Sequence, residues 1–147
     1  MATFEICPNA ESDLETLAAD DPQVAAEILF ILQEMASNPE LRDRLLEKKW
    51  LENEYDIEQW WKAKKLGREI FRLKVWLPPE RLDGKDDPIY KRLSNYRILY
   101  ALVPASQHVR VPYSIVLACV HRKHFDYGDN LDNVIAQRIL RDLDTLF

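Results

Sequence analysis

Apolar residues recur along this chain with two different periods, and the change from one to the other divides it into a helical part and a strand-rich part. "TFEIC" near the start is a short alternating strand. "AESDLETLAADDP" then has helical spacing, with Ser12 and Glu15 placed as a capping box. Asp21-Pro22 predicts the start of a second helix, an N-cap followed by proline at the first helical position. Val24, Ile28, Ile31, Leu32 and Met35 follow at intervals of three and four, as one buried helix face requires. "SNPE" interrupts that pattern, and "ELRDRLLEKKWL" resumes it with Asn38 as cap. Residues 50–68 fit neither period clearly.

From Glu69 the period is two. In "EIFRLKVWL", Phe71, Leu73, Val75 and Leu77 alternate with Arg72, Lys74 and Trp76, so Arg72 and Lys74 emerge on one sheet face. The segment at about 78–95 is rich in Pro, Gly and Asp and is too long for an ordinary turn. "YRILYALV" is the next strand, with Arg97 at its entrance. "IVLACV" is apolar on both faces, as a central strand must be, and runs into His121, Arg122, Lys123 and His124. After "GDNLDN" a last helix carries Val134, Ile135, Ile139, Leu143 and Leu146 as one apolar stripe. Consecutive strands with no helix between them favour an antiparallel sheet. The expected fold class is therefore α+β, in a single domain over 1–147. It has an N-terminal strand and helix pair, a mainly antiparallel sheet with helices packed on one face, and a C-terminal helix.

Composition changes this picture mainly through charge. The net charge of −5 hides a strong asymmetry: residues 1–60 hold 15 acids and 4 bases, whereas 61–127 hold 14 bases and 6 acids. The strands thus carry a cationic surface while the N-terminal helices stay acidic. No stretch approaches the roughly 20 apolar residues of a membrane span. "MATFEICPNA" lacks the basic and apolar regions of a secretory signal. Two cysteines, Cys7 and Cys119, are too few for a disulfide framework. A cytoplasmic protein with no membrane partner is expected.

With only three glycines, neither a dinucleotide fingerprint nor a phosphate-binding P-loop is possible, and GxSxG and HExxH are absent too. Cys119, His121 and His124 form C-x-H-x-x-H, but strand geometry sends His124 past the strand end and no fourth ligand is evident, so no metal and no cofactor are expected. What remains is a set of cations, Arg72, Lys74, Arg97, Arg122 and Lys123, close to His121, His124 and Tyr127. Metal-free RNA cleavage needs a base for the 2′-hydroxyl proton, an acid for the leaving 5′-oxygen, and fixed positive charge around the phosphorane. Arginine suits the last role because its planar fork matches phosphate oxygens. Lys62, Lys64, Lys65, Lys123 and Phe125 complete a candidate RNA-binding set, with Phe125 or Tyr127 available to stack on a base.

The series "FRLKVWL", "YRILYALV", "IVLACVHRKHFDY" and "VIAQRIL" resembles the C-terminal half of toxins of the RelE/ParE superfamily, and the preceding strand and helix pair match that family's N-terminal layout. The resemblance spans nearly the whole chain, except that the link at 78–95 is longer than the family's. It implies a type II toxin, in the RelE-like case an mRNA endoribonuclease that acts at the ribosome and is held inactive by a cognate antitoxin in a hetero-oligomer. Arg72 and Lys74 match the family's alternating basic positions, Arg97 its phosphate-binding arginine, and Arg122 its transition-state arginine. Tyr127 matches the tyrosine that orients the nucleotide, and His121 and His124 are further candidates for proton transfer. A ParE-like member would instead poison DNA gyrase through protein contact, and an inactive relative would only bind a partner.

Overall fold

The computed structural model describes residues 3–41, 56–76, 93–103, 113–124 and 133–146. Their elements run β1 (Thr3–Ile6), α1 (Pro8–Asp20), α2 (Pro22–Ser37), β2 (Asp56–Gln59), α3 (Trp61–Lys65), β3 (Glu69–Trp76), β4 (Leu93–Val103), β5 (Tyr113–His121), a 3₁₀ turn at Arg122–His124, and α4 (Val134–Leu146). The fold is α+β around one five-stranded sheet in the order β1-β5-β4-β3-β2. Three pairings are antiparallel, while β1 runs parallel to β5, with Phe4 opposite Ser114 and Ile6 opposite Val116. The sheet is therefore mixed: β2 to β5 form an antiparallel series, and β1 lies along the outer edge of β5, running in its direction. Among the described residues no helix is long and apolar enough to cross a membrane.

Local chemistry explains most of the boundaries. Asp21 caps α2 by accepting the Val24 amide at 3.3 Å, and Asn38 closes the next turn by accepting from Glu40 and Leu41. The α2 stripe Val24, Ile28, Ile31, Leu32 and Met35 is buried as its spacing requires. The first helix differs from expectation. It begins at Pro8 after Cys7 with no side-chain cap, so Ser12 and Glu15 lie inside the helix on its exposed side instead of forming a capping box. A proline ready for the first helical position set the start earlier than the Ser-x-x-Glu signal. The unassigned stretch supplies β2, α3 and Gly67, whose φ of +80° turns the chain back into β3. On α4, Asn133 caps the Ile135 and Ala136 amides. The buried stripe there is Ala136, Ile139 and Leu143, while Val134 is 77% exposed.

The core lies on both sides of the sheet. Phe71, Leu73, Ile98 and Tyr100 share one face by register, with the Phe71 and Tyr100 rings stacked at 5.5 Å. Ile70, Leu99, Ala101 and Ala118 share the other, and all eight are buried. Cover is thus not confined to one face, since strands apolar on both faces must be sealed on both. The stretches 42–55 and 77–92, which include most of the expected long connection, fall outside the described residues.

Candidate functional site

Register decides which cations meet. Lys74 stands opposite Arg97, and Arg97 stands opposite Val120, so Lys74 and Arg97 are neighbours on one face at one end of the sheet. The turn Arg122–His124 leaves β5 at this same end and packs beside β4. Lys74 is partly exposed; Arg97 is buried, only 4% exposed, and donates to the Tyr96 carbonyl at 2.9 Å. Arg72 shares their face but is ion-paired with Glu58 directly across on β2. Arg122, Lys123 and His124 are exposed.

His121 faces the other way. It stands opposite Tyr96, whose ring meets it edge-on at 5.1 Å, and both project from the face opposite Arg97. The His124 ring lies 6.2 Å from that of His121. Arg72, Lys74 and Arg97 thus share one face and His121 points from the other, because neighbouring residues on a strand point to opposite faces. Lys62, Lys64 and Lys65 are also elsewhere. They belong to α3, which follows β2 where Trp60 donates to Ile70, and Lys74 is about 13 Å further along β3. Phe125 and Tyr127 lie outside the described residues.

Between α1 and this end of β5 is a cavity of about 240 Å³. One wall carries Tyr96, His121, Lys123 and His124; the other carries Thr16, Leu17 and Asp20. His121 accepts the Lys123 amide at its Nδ1, 3.1 Å away. That bond places the proton of the neutral ring on Nε2, making His121 a hydrogen-bond donor and leaving no free lone pair for a base. Burial and then the positive charges of Lys123, His124, Arg122 and Arg97 hold its pKa below the ordinary histidine value. His121 is thus a neutral donor near pH 7.

The sequence reading missed what fixes the cavity's floor. Leu99 pairs with Ala118 and Tyr100 with Val116, so Leu117 is the extra residue of a β-bulge. Its carbonyl accepts from Arg138 Nη2 at 3.2 Å and from the Cys7 thiol at 3.4 Å. Asp13 on α1 receives both Arg138 amino groups at 2.9 and 2.6 Å, and also accepts the Cys119 amide at 3.1 Å. This network covers the edge of β5 beyond the end of β1, where no partner strand continues the ladder among the described residues. Burial, with Asp13 nearby, pushes the Cys119 thiol up to about 12, and burial also raises Cys7; both thiols are free and buried. They are therefore packing groups and not nucleophiles. Among the described residues no group of three His, Cys, Asp or Glu is placed to hold a metal ion.

Comparison with protein-family models, curated proteins and solved structures returns no match.

Proposed function

We propose that this chain is the toxin of a type II toxin–antitoxin pair, a metal-independent endoribonuclease that cuts mRNA at the ribosome and is restrained by a cognate antitoxin. The observation that carries the reading is the gathering, at one end of the sheet, of Lys74, Arg97 and the Arg122–His124 turn beside a cavity bearing Tyr96 and His121. Strand order, with an N-terminal strand and helix pair before the antiparallel series β3-β4-β5 and a final helix, agrees with the resemblance that first suggested the class.

The roles sort by geometry. Partly exposed Lys74 and exposed Arg122 supply positive charge to the phosphate, and buried Arg97 adds a fixed field behind them. His124, exposed on the turn, is the group free to take the 2′-hydroxyl proton. As the 2′-oxygen bonds to phosphorus, the P–O5′ bond breaks and the 5′-oxygen takes a proton from solvent, while the Nε2–H of neutral His121 supplies a hydrogen bond and not the proton. Arg72 is not assigned a chemical step, because Glu58 already neutralises it. A second reading, in which the chain only binds a protein target such as gyrase, draws support from the division of His121 and Arg97 between opposite faces.

The test is expression in bacteria together with incubation of purified protein and ribosomes with mRNA. His124→Ala and Arg122→Ala are expected to abolish growth arrest and cleavage without changing the circular dichroism spectrum, while Arg72→Ala retains both. Undiminished cleavage in both of the first two variants overturns the mechanism. Growth arrest with intact mRNA and damaged DNA selects the second reading.

A further inference from the structure

We infer that the cavity between α1 and the end of β5 is a nucleobase pocket selective for guanine, with Asp20 as its specificity-determining residue; the inference rests on the nuclease reading and names the base that this site takes. Thr16, Leu17 and Asp20 lie on one side of α1, at the spacing that places residues on a common helix face. They confront Tyr96, His121, Lys123 and His124 across about 240 Å³, room for a single base and not for a large cofactor. The wall is thus ordered by chemistry. Flat rings stand on the strand side, cations lie at the turn, and a carboxylate with a hydroxyl stands opposite.

Asp20 is the group that these contacts leave open. Asp13, two helical turns earlier on α1, is occupied by Arg138 and the Cys119 amide, and Asp21 caps α2. The Asp20 side chain makes no hydrogen bond or ion pair among the described residues. It is also the last residue of α1, where a negative charge opposes the helix dipole. What sets Asp20 apart from the other exposed carboxylates of the helices is its place in the cavity wall, facing Tyr96 and His121.

A carboxylate accepts two parallel N–H bonds. Guanine presents such a pair, N1–H and N2–H, on its Watson–Crick edge. Adenine and cytosine place an acceptor nitrogen beside their amino group, and uracil flanks its N3–H with two carbonyls, so each sets a lone pair against the carboxylate. A guanine whose edge meets Asp20 stacks toward Tyr96 and His121 and sends its phosphate toward Lys123 and His124.

The probe is a set of 5′-mononucleotides, GMP, IMP, AMP, CMP and UMP, titrated calorimetrically into the wild-type chain and into Asp20→Asn. A good bidentate contact to a base discriminates by about tenfold or more. GMP is expected to bind at least that much tighter than AMP, CMP and UMP. IMP, which keeps N1–H but lacks the amino group, is expected to fall between. Asp20→Asn is exposed and should melt like wild type, with the GMP preference reduced to threefold or less. Binding of all five nucleotides within threefold, or a GMP preference unchanged in Asp20→Asn, overturns the inference. Mapping cuts on a mixed-sequence RNA separates the two proposals. GMP selectivity with uncut RNA retains the pocket and removes the nuclease, whereas cleavage without guanine preference removes the pocket and retains the nuclease.

Discussion

Asp13→Ala is the perturbation on which the account of the β5 edge stands or falls. The carboxylate does two jobs there, holding Arg138 through two hydrogen bonds and accepting the Cys119 amide. Deleting it leaves an edge amide without an acceptor, a loss of about 1–3 kcal/mol. It also strands the Arg138 guanidinium. Breaking a fully buried pair costs about 3–5 kcal/mol, but these side chains are 18% and 14% exposed, so solvent recovers much of that. The two effects together give about 3 kcal/mol, or a Tm lower by about 6–12 °C in a domain of this size. Asp13→Asn keeps an acceptor for Cys119 and should lose about half as much. Arg138→Met should lose less than Asp13→Ala, because the Cys119 amide keeps its partner and the Leu117 carbonyl keeps the Cys7 thiol. Urea unfolding followed by tryptophan fluorescence measures all three. A loss below about 1 kcal/mol for Asp13→Ala, or a larger loss for Arg138→Met, refutes the reasoning.

Two further predictions concern titration and reactivity. Because folded His121 binds its proton more weakly than the unfolded chain, its contribution to stability is complete above the unfolded value of about 6.5 and is lost as pH falls toward the lower folded value. Lys123→Ala should raise the folded pKa of His121, seen in an NMR titration of its ring, and flatten that loss; no movement would remove Lys123 from the cause. Both thiols should resist a disulfide reagent in the native state and react together on unfolding, so stoichiometric labelling of Cys119 in the folded protein would contradict its burial.

Where periodicity was long and uninterrupted, the sequence led directly to the structure. The α2 stripe, the alternation of Arg72 and Lys74 against Phe71 and Leu73, and the doubly apolar β5 all lie as their spacing demands. The failures have separate physical causes. A four-residue strand such as β2 has too few positions to show a period, and its identity depends on pairing Ile57 with Leu73. The parallel β1–β5 pairing is a long-range choice that no local pattern encodes. Val134 fits a helical stripe on spacing alone, yet the first turn of α4 overhangs the core and leaves it exposed. In the site, the basic residues were legible as a list but not as a geometry. Their division between faces follows from register, which needs the partner strand. Tyr96 was within reach, since it precedes Arg97 and must project opposite to it. Asp13 and Arg138 were not, because an acid and a base 125 residues apart carry no local signal.

The division between faces restricts what ligand the sheet end can serve. Val120 and His121 are adjacent, so the side facing Arg97 and Lys74 and the side facing Tyr96 and His121 are separated by the strand itself. A small anion resting on either face touches only half of the set. Both halves are reached only around the end of the sheet, past the exposed turn of Arg122, Lys123 and His124. On the proposed nuclease reading, an extended single strand meets that requirement, with one phosphate near Lys74 and Arg122 and the next base turned into the cavity. On the same reading the acidic α1 wall repels backbone phosphate and faces the uncharged base, while Lys123 and His124 on the opposite wall attract the phosphate, so the charge asymmetry of the chain sets the direction of the strand.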